Sequence, residues 1–163
     1  MATTVTPSDL TVTVNDSLTL NNRAYGGSTS YLVSSCDEAV QRIVSVAVKE
    51  PSGAQTWTTL FDFSTVNNAG QGIITEFQYF RVTNLDNANY LIFQILTSAS
   101  NNRMAFKLEA GQSFILQGDG VRAIDSAAPG TGYEAFQTIT GIRAAADTAV
   151  VDTEIVVAFK PAG

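Results

Sequence analysis

A chain of 163 residues with 15 acidic and 9 basic side chains carries a net charge of -6 and has no histidine. The missing imidazole removes the commonest general base and transition-metal ligand. Nine scattered cations cannot form the basic patch that nucleic acid requires, so nucleic acid is not an expected partner.

Charged residues are only 15% of the chain and hydrophobic ones 45%. That is a folded protein whose polar surface is mostly uncharged Ser, Thr, Asn and Gln. The length suits one domain over residues 1–163. The start, MATTVTPSDL, has neither a basic n-region nor an apolar h-region. No apolar run approaches the ~18 residues of a membrane span. The expectation is a soluble product made in a cytoplasm, with no membrane partner.

In chain order, Leu10, Val12 and Val14 alternate with Thr11 and Thr13, as a half-buried strand does. Asn15-Asp16 reads as a turn, after which Ser17–Leu20 resumes the alternation. Asn21–Ser30 has loop chemistry centred on Gly26-Gly27. Residues 1–30 stay open between an N-terminal arm that pairs with a neighbour and the first hairpin of the domain. Within them Thr3, Thr4, Val5, Thr6, Leu10, Val12 and Val14 are the candidate contact residues.

Tyr31–Ser35 is a short strand, and Cys36–Arg42 has room for one helical turn with Asp37 near its start. Arg42–Val48 is a strand closed by a turn at Pro51 and Gly53. Thr56–Ser64 alternates again, and Thr65–Gly72 is a loop. Ile73–Asn84 and Asn89–Leu96 are strands joined through Asn84-Leu85-Asp86-Asn87-Ala88-Asn89, which reads as a hairpin connection. Met104–Gly118 reads as a second hairpin, reversing at Ala110-Gly111. A long loop with a short strand at Val121–Ile124 follows. Phe136–Ala144 and Val150–Phe159 close the domain, with a second candidate helical turn at Arg143–Val150. In the last strand Ile155, Val157 and Phe159 alternate with Val156 and Ala158, so both faces should be covered. About ten short strands with turns between them predict an all-β fold, an antiparallel β-sandwich or jelly-roll.

Catalytic equipment is thin. Ser-His-Asp chemistry needs the histidine that is missing, and no S-x-x-K occurs. Asp152 and Glu154 share a strand face, expected to be solvated. The single Cys36 cannot form an internal disulfide and reads as a small buried hydrophobe. Asp86 with Asn84 and Asn87 offers oxygen ligands, but one acid in a loop without Gly is a poor calcium site. Asp16, Asp62, Asp119 and Asp125 stand alone. Neither a metal nor a cofactor is expected, nor is an enzyme. Tyr79, Phe80 and Arg81 interleave aromatic and basic side chains, for which core packing is the expected role. Trp57 and Tyr133 are the aromatics a carbohydrate platform would use.

Four segments carry a resemblance: QRIVSV, YFRVTNLDNANYLIFQI, FKLEAGQSFIL and GIRAAADTAVVDTEIVVA. In this order and spacing they resemble small virion proteins of tailed bacteriophages of the marine and cyanobacterial type. The likeness runs from about Arg42 to Ala158. It implies a β-sandwich or jelly-roll structural protein of the virion, with Asn84, Asp86, Asn87 and Asn89 as its turn signature. The reading that follows is a capsid decoration (cement) protein on the capsid surface, partnered by the major capsid protein and by itself as a homotrimer. A tail, neck or fibre-attachment protein and a carbohydrate-binding module are the alternatives.

Overall fold

Period-two alternation becomes strand throughout the computed structural model, which describes residues 6–49, 56–63, 77–97, 103–117, 122–124 and 136–160. Among them lie β1 (Ser8–Asn15), β2 (Leu18–Leu20), β3 (Arg23–Tyr25), β4 (Ser28–Cys36), β5 (Glu38–Val46), β6 (Thr58–Asp62) and β7 (Phe77–Asn84). Then come β8 (Leu91–Thr97), β9 (Arg103–Leu108), β10 (Ser113–Gln117), β11 (Arg122–Ile124), β12 (Phe136–Ala146) and β13 (Val151–Phe159). No described residue is helical. The expected turns at Pro51 and Gly53, at Thr65–Gly72 and through the loop holding Asp119, Asp125 and Tyr133 lie outside the described residues.

The chain is an antiparallel β-sandwich. One sheet has the order β10-β7-β13-β5. The other runs β11-β12-β8-β9, with β6 also paired to β12. Between them lies a core in which two phenylalanine triads each bridge the sheets. Phe61 and Phe63 meet Phe159 at centroid distances of 5.7 and 6.3 Å. Phe93 and its cross-strand neighbour Phe106 meet Phe114 at 4.9 and 4.7 Å. Offset and tilted rings at such distances add to the burial of their area.

Two expectations are corrected here. Cys36–Arg42 is not a helical turn, because Glu38–Val46 pairs residue by residue with β13. Its alternation turns Val40, Arg42, Val44 and Val46 inward. Arg42 lies inward on this edge strand, its guanidinium 5.4 Å from the Phe61 ring and donating to the Leu60 carbonyl. The Arg143–Val150 segment is likewise strand through Ala146, followed by a bend.

Neither expected hairpin forms either. β7 and β8 belong to opposite sheets, and so do β9 and β10. The connections Leu85–Tyr90, Glu109–Gln112 and Asp147–Val150 are therefore arches that carry the chain from one sheet to the other. The first two meet at Asn84, which is fully buried. Its side-chain amide donates to the carbonyls of Asn89, Leu108 and Glu109 at 2.9, 3.2 and 3.1 Å. Its backbone amide donates to Gln112 and its carbonyl accepts from Gly111. Leu85, the next residue, donates its amide to Asp152. Asn84 thus ties the first two arches together, and the third joins them through Asn89, which accepts from the Thr148 hydroxyl.

The last strand behaves as its two apolar faces require. β13 is central in its sheet, with Ile155, Val157 and Phe159 in the core. Its Ala158 and Val156 face outward and are covered by the β1–β4 hairpin, through Leu10, Val12, Tyr31 and Val33.

Two buried polar side chains give opposite predictions. Asn84→Leu strips donors from three carbonyls and should cost about 3 kcal/mol. Thr153 is fully buried and its hydroxyl has no partner. Thr153→Val keeps the shape and should stabilise by roughly 1 kcal/mol. Urea unfolding of the two variants checks both signs.

Candidate functional site

Three places are built well enough to be weighed: the signature turn, a cleft beside Cys36, and the N-terminal hairpin.

In the signature turn, Asn84 Oδ1 accepts from the Asp86 amide at 3.0 Å. Asp86 Oδ1 accepts from the amides of Ala88 and Asn89 at 2.7 and 2.6 Å, and from the Asn89 side chain at 3.2 Å. Asn89 Oδ1 accepts from the Thr148 hydroxyl at 3.0 Å. Asn87 is exposed. The acid and amides are therefore spent on their own chain, as Asx turns are. The backbone amides of Asn89 and Ala88 hold the Asp86 carboxyl below its ordinary range. Beside the turn, Asp147 accepts from Lys49 at 2.7 Å and from the Tyr90 hydroxyl at 2.8 Å. The Lys107 ammonium sits 4.1 Å from the Tyr90 ring centroid and pairs with Glu109.

The cleft has a volume of about 380 Å³ between the root of β1 and the start of β5. Leu10, Val156 and Ala158 line it, with Asp9, Asp37 and Glu38 at Cys36. Burial raises the thiol pKa, and its Sγ contacts the Val33 carbonyl at 3.7 Å. A protonated thiol among carboxylates is a weak nucleophile. Asp9 accepts from the Ser35 amide at 2.9 Å. Among the described residues, no three His, Cys, Asp or Glu gather to hold a metal.

Other candidates are also engaged. Glu154 accepts from Gln41 at 2.7 Å and from Arg81 at 2.5 Å, and the Gln41 bond leads in holding its carboxyl low. Asp152 accepts from the Ser45 hydroxyl at 2.6 Å. The Arg143 guanidinium lies 4.5 Å from the Trp57 ring centroid and also grips Gln94. Tyr79 and Phe80 are buried on opposite faces of β7.

The N-terminal hairpin is different. Leu10 pairs with Val33, Val12 with Tyr31, Val14 with Thr29 and Asn15 with Ser28. The Asp16 amide donates to the Gly27 carbonyl at 2.8 Å. Leu18 then pairs with Tyr25 and Leu20 with Arg23. These pairs share one register, so β1 to β4 make a single ribbon around a two-residue turn. Asn21 and Asn22 close it with φ of 51° and 61°, the left-handed pair that a tight hairpin turn needs. Gly26 has φ 107°, and a Cβ there would lie 2.3 Å from the Asp16 carbonyl oxygen, so only Gly fits.

Every residue from Thr13 to Ser30 is exposed. At the ~3.3 Å rise of a strand, the ribbon extends about 30 Å past Val12. Of the candidate contact residues, Leu10 and Val12 pack on their own sheet, Val14 starts the exposed stretch, and Thr6 lines the cleft. Thr3, Thr4 and Val5 lie outside the described residues. Sequence reasoning missed Tyr25, hidden in what reads as a loop. The two asparagines at the tip were the available signal.

No protein-family model, curated protein or solved structure matches the chain.

The Asp86 turn has a pH signature. A carboxyl held low by folding stabilises fully above its unfolded pKa of about 3.9 and loses that contribution as pH falls through the lower folded value. Asp86→Asn keeps an acceptor but cannot titrate. The difference in unfolding midpoint between wild type and this variant should shrink steadily below about pH 4. A difference that stays constant to pH 2 would remove the ionised Asp86 from the turn.

Proposed function

We propose that this chain is a structural protein of a tailed-phage virion, a decoration protein that seats on the capsid surface and ties neighbouring subunits together. The observation that carries the proposal is the ribbon. An isolated two-stranded ribbon is marginal in water. This one extends over solvent with Val14, Leu18, Leu20 and Tyr25 exposed. Such an arm suits a protein whose task is to hold neighbours by passive contact.

The rest of the molecule supports the same task. Its acids at the signature turn and on the outer face are engaged by their own neighbours rather than aimed at a substrate. Its surface is low in charge, as interface cores are. The four segments that resemble phage virion proteins fall on β5, on β7 with β8, on β9 with β10, and on β12 with β13. They coincide with the sandwich itself and leave out the ribbon. The major capsid protein is the partner in this reading, and symmetric placement around the shell turns weak contacts into avidity.

Co-sedimentation with emptied heads of a phage that encodes the chain tests the proposal. Saturable binding is expected, raising the temperature at which the heads rupture. Heads that neither bind the protein nor gain stability would overturn it.

A further inference from the structure

Most of the ribbon's large apolar side chains lie on one side. Residues two apart share a strand face, and the shared register places Leu10, Val12, Val14, Leu18 and Leu20 on one side, with Asp16 and Gly27 interrupting them between Val14 and Leu18. Their partners there are Val33, Tyr31, Thr29, Tyr25 and Arg23. The opposite side shows Thr11, Thr13, Asn15 and Thr19, with Leu32 open across from Thr11. At the root this apolar stripe is covered, packing through Val12 and Val33 on Tyr79, Val156 and Ala158 of the four-stranded sheet. Past Val12 the stripe continues with nothing beneath it. Leu18 is 57% exposed, Leu20 55% and Tyr25 51%.

The sheet that receives the root is only half used. Its outward rows read, from the register, Ala39–Ala158–Tyr79–Gln117, then Gln41–Val156–Arg81–Ile115, then Ile43–Glu154–Thr83–Ser113. The root takes the first row and Val156 of the second. The remainder keeps Ile43 63% exposed and Ile115 38% exposed. Between them lie the Thr83–Ser113 hydroxyl pair and the Arg81–Glu154 ion pair. One molecule thus carries a stripe of Leu18, Leu20 and Tyr25 with nothing beneath it, and a mixed half-face on which Ile43 and Ile115 stand open, on the same sheet that binds the stripe's root.

We infer that the distal ribbon of one copy lies on the open half of the outer face of a second copy. Leu18, Leu20 and Tyr25 cover Ile43 and the row beside it. Arg23, on the same side at the tip, reaches a half-face where Asp152 and Glu154 outnumber Arg81. Area also favours a second copy over an unrelated surface. A ribbon about 30 Å long and 10 Å wide covers on the order of 300 Å². That is short of the ~800 Å² per partner of a standard stable interface. When copies exchange arms, each gives one ribbon and receives another, which roughly doubles the figure per copy and brings it near that size. The contact joins two different surfaces, and reciprocal exchange closes it as a two-fold pair in which both contacts fall between the same two copies.

The inference concerns the purified chain alone and stands apart from capsid binding. Light scattering on the full-length protein across the micromolar range should find an oligomer. Leu18→Asn with Leu20→Asn removes the arm contact, and Ile43→Lys removes the floor. All three positions are exposed, so melting curves should show the sandwich intact. Each variant should weaken association by about tenfold or more. Mixing the arm variant with the floor variant leaves one intact arm facing one intact floor, so a one-to-one complex should reappear, weaker than the wild-type pair and tighter than either variant alone. A monomeric wild type overturns the inference even if the protein binds heads. So does an oligomer that both variants leave unchanged, or a mixture that stays unassociated.

Discussion

The sandwich depends on one amide. Two arches, Leu85–Tyr90 and Glu109–Gln112, cross between the sheets beside Asn84, and they turn the carbonyls of Asn89, Leu108 and Glu109 onto its side chain. A buried carbonyl without a donor is expensive. The Asn84 side chain has two N–H groups and shares them among three such carbonyls, while its oxygen holds the amide that starts the signature turn. An apolar residue supplies no donor here. An aspartate would set a charge against three carbonyl dipoles. From Asn84 the consequences run outward. With the arches fixed, β7 and β10 are neighbours, β8 and β9 lie opposite them, and Phe93, Phe106 and Phe114 meet in the core.

The outer side of the four-stranded sheet follows a second logic. β13 is apolar on both faces, so the chain must cover it twice. The inner cover is the other sheet. The outer cover is the root of a ribbon that the chain makes before it enters the sandwich. Cover and arm are therefore one element, joined by a ladder of continuous register.

Strands were legible in the sequence because alternation is local, and β1, β8 and β13 can be read almost residue by residue. The partner of a strand is not local. Asn, Asp and Gly satisfy the backbone of a tight reversal whether the chain turns back beside itself or crosses to the opposite sheet. The segments Asn84–Asn89 and Glu109–Gln112 therefore read as hairpins and are arches. The β5 strand was partly hidden for another reason. Asp37, Glu38 and Arg42 are charges in the positions of a helical turn, and nothing near them announces that Arg42 points inward over Phe61. The ribbon was legible only as far as Leu20. Gly26-Gly27 drew attention as the reversal, whereas Asn21-Asn22 makes it.

Arg42 has one more effect, on how far association can go. β5 is the last strand of its sheet, and a bare edge invites any passing strand to add itself, then another. A guanidinium tucked beneath that edge spoils the offer. A newcomer continuing the sheet over Arg42 would have to lay its own inward side chains against a cation already committed to Leu60 and Phe61. The edge is in this sense a terminus rather than a template, and polymerisation by stacking sheet onto sheet is discouraged from within.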